Sequence, residues 1–211
     1  MKNNCGVSTP RLQTLRPVLQ KWIDMNCALA KDWNKENDTP WWYNERALIS
    51  IFAGAVWKCG GYSFEEYSDL KRSSRGRKFK AGRVDLEFAI ESEEFMVEAK
   101  QKWIAITQKK DNLKEITQGM NDACDDARRT QAERKRCLAF LFGQPYIKTK
   151  NKDEIDVRIN RLLKQARAIK ADAMAWSFPS IPICHDEDGW LYPGIILWIK
   201  EVKMSQNKCP G

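Results

Sequence analysis

The sequence predicts an α/β fold in three layers, a mixed central β-sheet flanked by helices. Two observations carry that prediction. Apolar patterns run in the order helix, strand, strand, strand, helix, strand, followed by a helix and two more strands, which places helices on the faces of a sheet. Within that order, CLAFLF (137–142) is a continuous apolar run of strand length, as expected of a central strand covered on both sides.

Taken in order, residues 1–9 read as a loose tail. A single domain then spans 10–202, opening with a helical extension over 10–40. There Leu12, Leu15, Leu19, Trp22, Ile23, Leu29 and Trp33 form a helical stripe, with an interruption expected at Pro17. KENDTPWW is a loop, and the core over 44–147 follows. Asn44 caps a second helix, ERALISIFAGAVWK, which Gly60-Gly61 stops. It is apolar nearly all round and should be buried. YSFEEYSDLKR is a strand, SSRGRKFKAGR a basic loop, and VDLEF and EEFMVEAK two further strands. Residues 111–133 form an amphipathic helix with Leu113, Ile116, Met120, Ala123, Cys124 and Ala127 on one face. After the central strand come a helix over about 153–170, the strands AMAWSF and GIILWIKEV, and a frayed tail over 203–211.

Composition narrows the function classes. With 43% hydrophobic and 30% charged residues, the 211-residue chain has the make-up of a soluble domain with room for a real core. No apolar run reaches the ~18 residues that span a bilayer, and the first twenty residues hold no signal-peptide core. The seven cysteines are scattered without a CxxC pair, and His185 is the only histidine. That excludes the usual structural zinc site, leaves Cys184-His185 as a thiol beside an imidazole, and points to a reduced, cytoplasmic setting. A net charge of +8 favours acidic partners, nucleic acid before membrane or protein.

The chemistry-bearing residues lie in GRVDLEFAIESEEFMVEAKQKW (82–103). If VDLEF and EEFMVEAK form a hairpin about Glu91-Ser92, Val84, Leu86 and Phe88 share one face and Asp85 lies opposite Glu98. Cβ atoms of such pairs are roughly 4.5–5.5 Å apart, and two facing carboxylates repel unless a cation joins them. Two acids, a backbone carbonyl and water suit a hard divalent ion. Lys100 projects beside Glu98, where it can serve the attacking water and offset charge at a phosphorus centre. The turn lacks the Asn-Gly or Gly that tight hairpins favour, and a slip of one residue would undo the pairing.

From about residue 44 to 147 the chain resembles the PD-(D/E)XK nuclease superfamily, on Asp85 in GRVDLEF and Glu98-Ala99-Lys100 in FMVEAKQ. The resemblance implies a restriction endonuclease-like fold and phosphodiester hydrolysis with magnesium, manganese being a possible substitute. It implies metal ligation by Asp85, Glu98 and the Ala99 carbonyl, and a catalytic Lys100. Val84 stands where the family motif has proline. Many members also carry an acid on the first core helix; Glu45, on the stripe with Leu48, Ile49, Phe52 and Val56, is the candidate. Gln101 should face the other way in a structural role, and Gln118, Asp122, Asp125 and Asp126 read as a solvated helix face.

For nucleic acid, Arg75, Arg77, Lys78, Lys80 and Arg83 surround two glycines and Phe79 in a loop suited to gripping phosphates. Arg158, Arg161, Lys164 and Arg167 could add a second basic strip. Trp41, Trp42 and Tyr43 either stack on bases or pack on the first core helix. The expectation is a magnesium-dependent nuclease acting on DNA, as a homodimer or part of a larger assembly. The alternative is an inactive nucleic-acid-binding or adaptor module of the same fold.

Overall fold

The computed structural model describes residues 4–72, 79–107, 111–130, 135–180 and 188–203, the side chains of 69–81 excepted. Helix α1 (Arg16–Trp33) buries Val18, Leu19, Trp22, Ile23, Asn26 and Ala30. Pro17 sits in its first turn, where a missing N–H removes no helical bond; the expected interruption is absent. Helix α2 (Glu45–Lys58) starts at Asn44, whose side chain accepts from Ala47 N at 3.1 Å, and Gly60 turns away from its end at φ +82°.

The strands are β1 (Asn4–Ser8), β2 (Tyr62–Arg72), β3 (Phe79–Ile90), β4 (Glu93–Ala105), β5 (Arg136–Lys148), β6 (Ala173–Phe178), β7 (Trp190–Leu191) and β8 (Ile195–Val202). They form an open, mixed sheet in the order β1-β6-β8-β5-β4-β3-β2, with β7 beside the end of β5. Among these pairs only β4 and β5 run parallel, and helix α3 (Leu113–Ala127) makes the crossover that a parallel pair requires. Helix α4 (Ile155–Ala168) follows β5 after a 3-10 segment, Thr149–Glu154.

Two apolar clusters lie on opposite faces of the sheet. One joins α1 and α2 to Leu86, Phe88, Phe95, Val97, Leu138, Phe140 and Phe142. The other joins α3 and α4 to Met96, Cys137, Ala139, Leu141, Ile196 and Trp198. Alternate residues of β5 thus feed alternate cores, as its unbroken apolar sequence requires. At its start Arg136 pairs with Glu93 of β4 and with Glu201 of β8, 2.7 Å away. The α/β class and the layered order are those the sequence predicts.

Three local expectations are corrected. The tail over 1–9 contains β1, which pairs with β6 from Asn4↔Phe178 to Ser8↔Met174 and packs Cys5 and Val7 on the first core. The basic loop is shorter than expected, because Phe79–Arg83 extend β3 alongside β2, from Arg72↔Phe79 to Ser68↔Arg83. Laddering satisfies backbone groups that a loop would leave to solvent. Helix α3 ends at Ala127 rather than near residue 133.

Candidate active site

The β3–β4 hairpin turns at Glu91-Ser92, with Ile90 opposite Glu93 and the ladder running to Leu86↔Val97. Glu91 adopts φ +55°, a left-handed conformation in place of the glycine such a turn favours. This register makes Asp85 and Glu98 the next pair. The ladder does not continue to them. Instead the Asp85 carboxylate accepts a hydrogen bond from the Ala99 amide at 2.8 Å. The β2–β3 register likewise passes over Asp85, between Glu65↔Leu86 and Tyr67↔Val84, and Glu66 there has φ +52°. Leu86 packs in the first core but Val84 in the second. The expectation that Val84, Leu86 and Phe88 share a face therefore fails at Val84, because the strand rotates where its ladders lapse.

On β4, Glu98 and Lys100 share a face, as expected, and it is the face toward α3. Glu98 is 3% exposed and accepts from the Thr130 hydroxyl at 2.6 Å. Lys100 Nζ lies 2.5 Å from Asp126, which also pairs with Arg129. Gln101 points the other way and donates to the Tyr43 carbonyl at 3.1 Å and to Gln144. The fully buried Gln144 side chain donates in turn to the carbonyls of Trp41 (2.6 Å) and Tyr43 (2.9 Å). These bonds seat the start of α2, and with it Glu45, against β4 and β5.

Glu45 is half-buried on the stripe with buried Leu48, Ile49, Phe52 and Val56. Burial pushes its carboxyl up to about 7 from the ordinary 4.5; Lys100 and the Gln101 amide oppose the rise, while the charges of Asp85 and Glu98 add to it. Asp85, Glu98 and Lys100, from two strands, thus all act electrostatically on Glu45 of α2. As donors the acids fit a hard divalent ion, being oxygen-only, and the proton that burial favours on Glu45 is one a cation could displace. Among the described residues, however, no three acid, thiol or imidazole ligands converge on one point.

Of the remaining candidates, Arg75, Arg77 and Lys78 lie outside the described residues, as do the Lys80 side chain, Cys184 and His185. Arg83 is on β3 and pairs with Glu66 at 2.7 Å. Arg158 does not belong to a basic surface strip: it is 8% exposed and donates to the Ile106 carbonyl (2.8 Å) and to Glu154. Arg161, Lys164 and Arg167 are exposed, with Arg167 against the Trp176 ring. Gln118 bonds Asp122, and Arg128 pairs with Asp125. Asp126 is not part of that solvated face. Trp41 is core; Trp42 and Tyr43 are exposed. Asp126, Thr130 and Gln144 were not foreseen as parts of the site. Only Asp126 left a trace in sequence, flanking the apolar stripe of α3.

Comparison of the chain with protein-family models, with curated proteins and with solved structures returns no match.

Proposed function

We propose that the chain is a divalent-metal-dependent nuclease that hydrolyses phosphodiester bonds, with DNA the first substrate to try. The restriction endonuclease-like assignment belongs to this proposal and rests on the D…ExK motif. The observation that carries the reading is the 2.8 Å bond from the Ala99 amide to Asp85, which brings that acid against the Glu98-Ala99-Lys100 run where the β3–β4 ladder stops. Asp85, Glu98, Glu45 and the Ala99 carbonyl would hold magnesium, or manganese in its place. When bound, such an ion supplies Lewis acidity toward the phosphoryl group and toward water. Lys100 would offset charge building on the scissile phosphate, and its contact with Asp126 fixes where the ammonium waits.

A second reading, a nucleic-acid-binding or adaptor module without turnover, draws on the partners that Glu98 and Lys100 already have in Thr130 and Asp126. A cleavage assay on single- and double-stranded DNA and RNA separates the two. The nuclease reading expects cutting with magnesium or manganese, none with chelator, and none in Asp85→Ala, Glu98→Ala or Lys100→Ala. Full activity in all three variants would sink it.

A further inference from the structure

A cavity of about 440 Å³ is lined by Trp42, Trp103, Tyr146, Trp190 and Tyr192. Small-ligand pockets run from about 300 to 1,000 Å³. The rings meet edge to face: Trp42 and Tyr192 at 4.4 Å between centroids, Tyr146 and Trp190 at 5.0 Å, and Trp103 and Tyr192 at 5.5 Å. Tyr192 is buried, whereas Trp42 and Trp103 remain 39% and 37% exposed. The space they enclose is of a size to take a planar aromatic guest.

We propose that this pocket holds an unstacked nucleobase of the nucleic acid whose backbone lies at Asp85, Glu98 and Lys100, a reading that rests on the proposed nuclease function. Position is the first argument. Trp103 follows Lys100 by three residues on β4, roughly 10 Å along a strand, and Trp42 precedes Glu45 by three. Lys100 and Trp103 lie on opposite faces of β4, and among the described residues β4 has no ladder partner on its β3 side beyond Val97; on this proposal the nucleic-acid strand rounds that edge. The same bonds from Gln101 and Gln144 that seat Glu45 also fix the Pro40–Trp42 segment.

Charge is the second argument. An aromatic cage could equally take a quaternary ammonium. Here Lys148 Nζ already sits 3.8 Å from the Trp190 ring centre and donates to the Asp188 carbonyl. A cationic guest would meet that ammonium. A base attached to a phosphate would place its neutral ring among the aromatics and its phosphate beside Lys148.

The test is binding with chelator present, so that hydrolysis plays no part. A labelled single-stranded oligonucleotide is compared with an abasic strand of equal length, and tryptophan quenching by a free nucleoside monophosphate is measured on unaltered protein. The base-bearing strand should bind about tenfold or more tightly than the abasic one, the size of one base–aromatic stack. Trp42→Ala and Trp103→Ala should erase most of that margin, Trp103→Phe should keep it, and the monophosphate should quench. Equal affinity for the two strands, an undiminished margin in both alanine variants, or quenching by tetramethylammonium in place of the monophosphate would overturn the pocket assignment. Cleavage with magnesium but no base margin refutes the pocket alone. A base margin without cleavage upholds the pocket and refutes the nuclease.

Discussion

Asp85 and the amide of Ala99 are joined by a 2.8 Å hydrogen bond where the β3–β4 ladder would otherwise pair Asp85 with Glu98. The carboxylate therefore has a structural duty besides any metal. Asp85→Ala leaves the N–H of a fully buried residue without its partner, at a cost of about 1–3 kcal/mol. Asp85→Asn keeps an acceptor and should melt above Asp85→Ala. Both should lose cleavage by about a hundredfold or more. Equal melting of the two variants would show that the Ala99 bond contributes nothing.

Glu45 gives a pH signature. Its carboxyl is raised from 4.5 to about 7, so between those values the folded chain keeps a proton that the unfolded chain has released. The contribution to stability is full below the lower value and falls as pH rises through the upper one. Melting curves across this range should show that fall in the unaltered protein and lack it in Glu45→Gln. An ion held by Glu45 must displace the proton, so stabilisation by manganese should grow from about pH 6 to about pH 8.

Gln144 is a positioning residue. Gln144→Leu would leave the buried Trp41 carbonyl without its Gln144 donor, at a cost of about 1–3 kcal/mol, while the Tyr43 carbonyl keeps the bond from Gln101. Cleavage and the preference for base-bearing strands should fall together, because one support holds both Glu45 and Trp42. A loss of one without the other would place that support elsewhere.

The basic segment is a matter of counted charge. Neutralising Arg75, Arg77, Lys78 and Lys80 together should weaken binding and flatten its salt dependence, by about 0.9 in log–log slope for each phosphate contact removed from a duplex. An unchanged slope returns these residues to a solvated run.

Much of the fold was legible because its long elements carry one period each. The α2 stripe, the unbroken apolar run of β5 and the α3 stripe lie on the elements expected of them. The hairpin register was also readable, since Glu91-Ser92 is flanked by alternating residues even though neither is glycine. Short elements were not. NCGVS and WL gain strand form only from β6 and β5, and five or two residues show no period of their own. The lapse at Asp85 was equally hidden, since alternation assumes that a strand does not rotate. Thr130 was out of reach for another reason: it lies past the end of α3 and meets Glu98 only through the crossover to β5.

The pairing of β1 with β6 has a consequence for how the chain matures. Ser8 finds Met174, so during synthesis the strand Asn4–Ser8 must wait, unpaired, until the ribosome has passed Phe178. The stretch from Glu45 to Lys148 needs no such delay: α2, the β2–β3–β4 meander, α3 and β5 are contiguous in sequence and contact one another. Local contacts form early and distant ones late. The segment bearing the acids can therefore take shape on the ribosome while β1 is still unpaired and the C-terminal flank is unmade, and the β1 edge closes last.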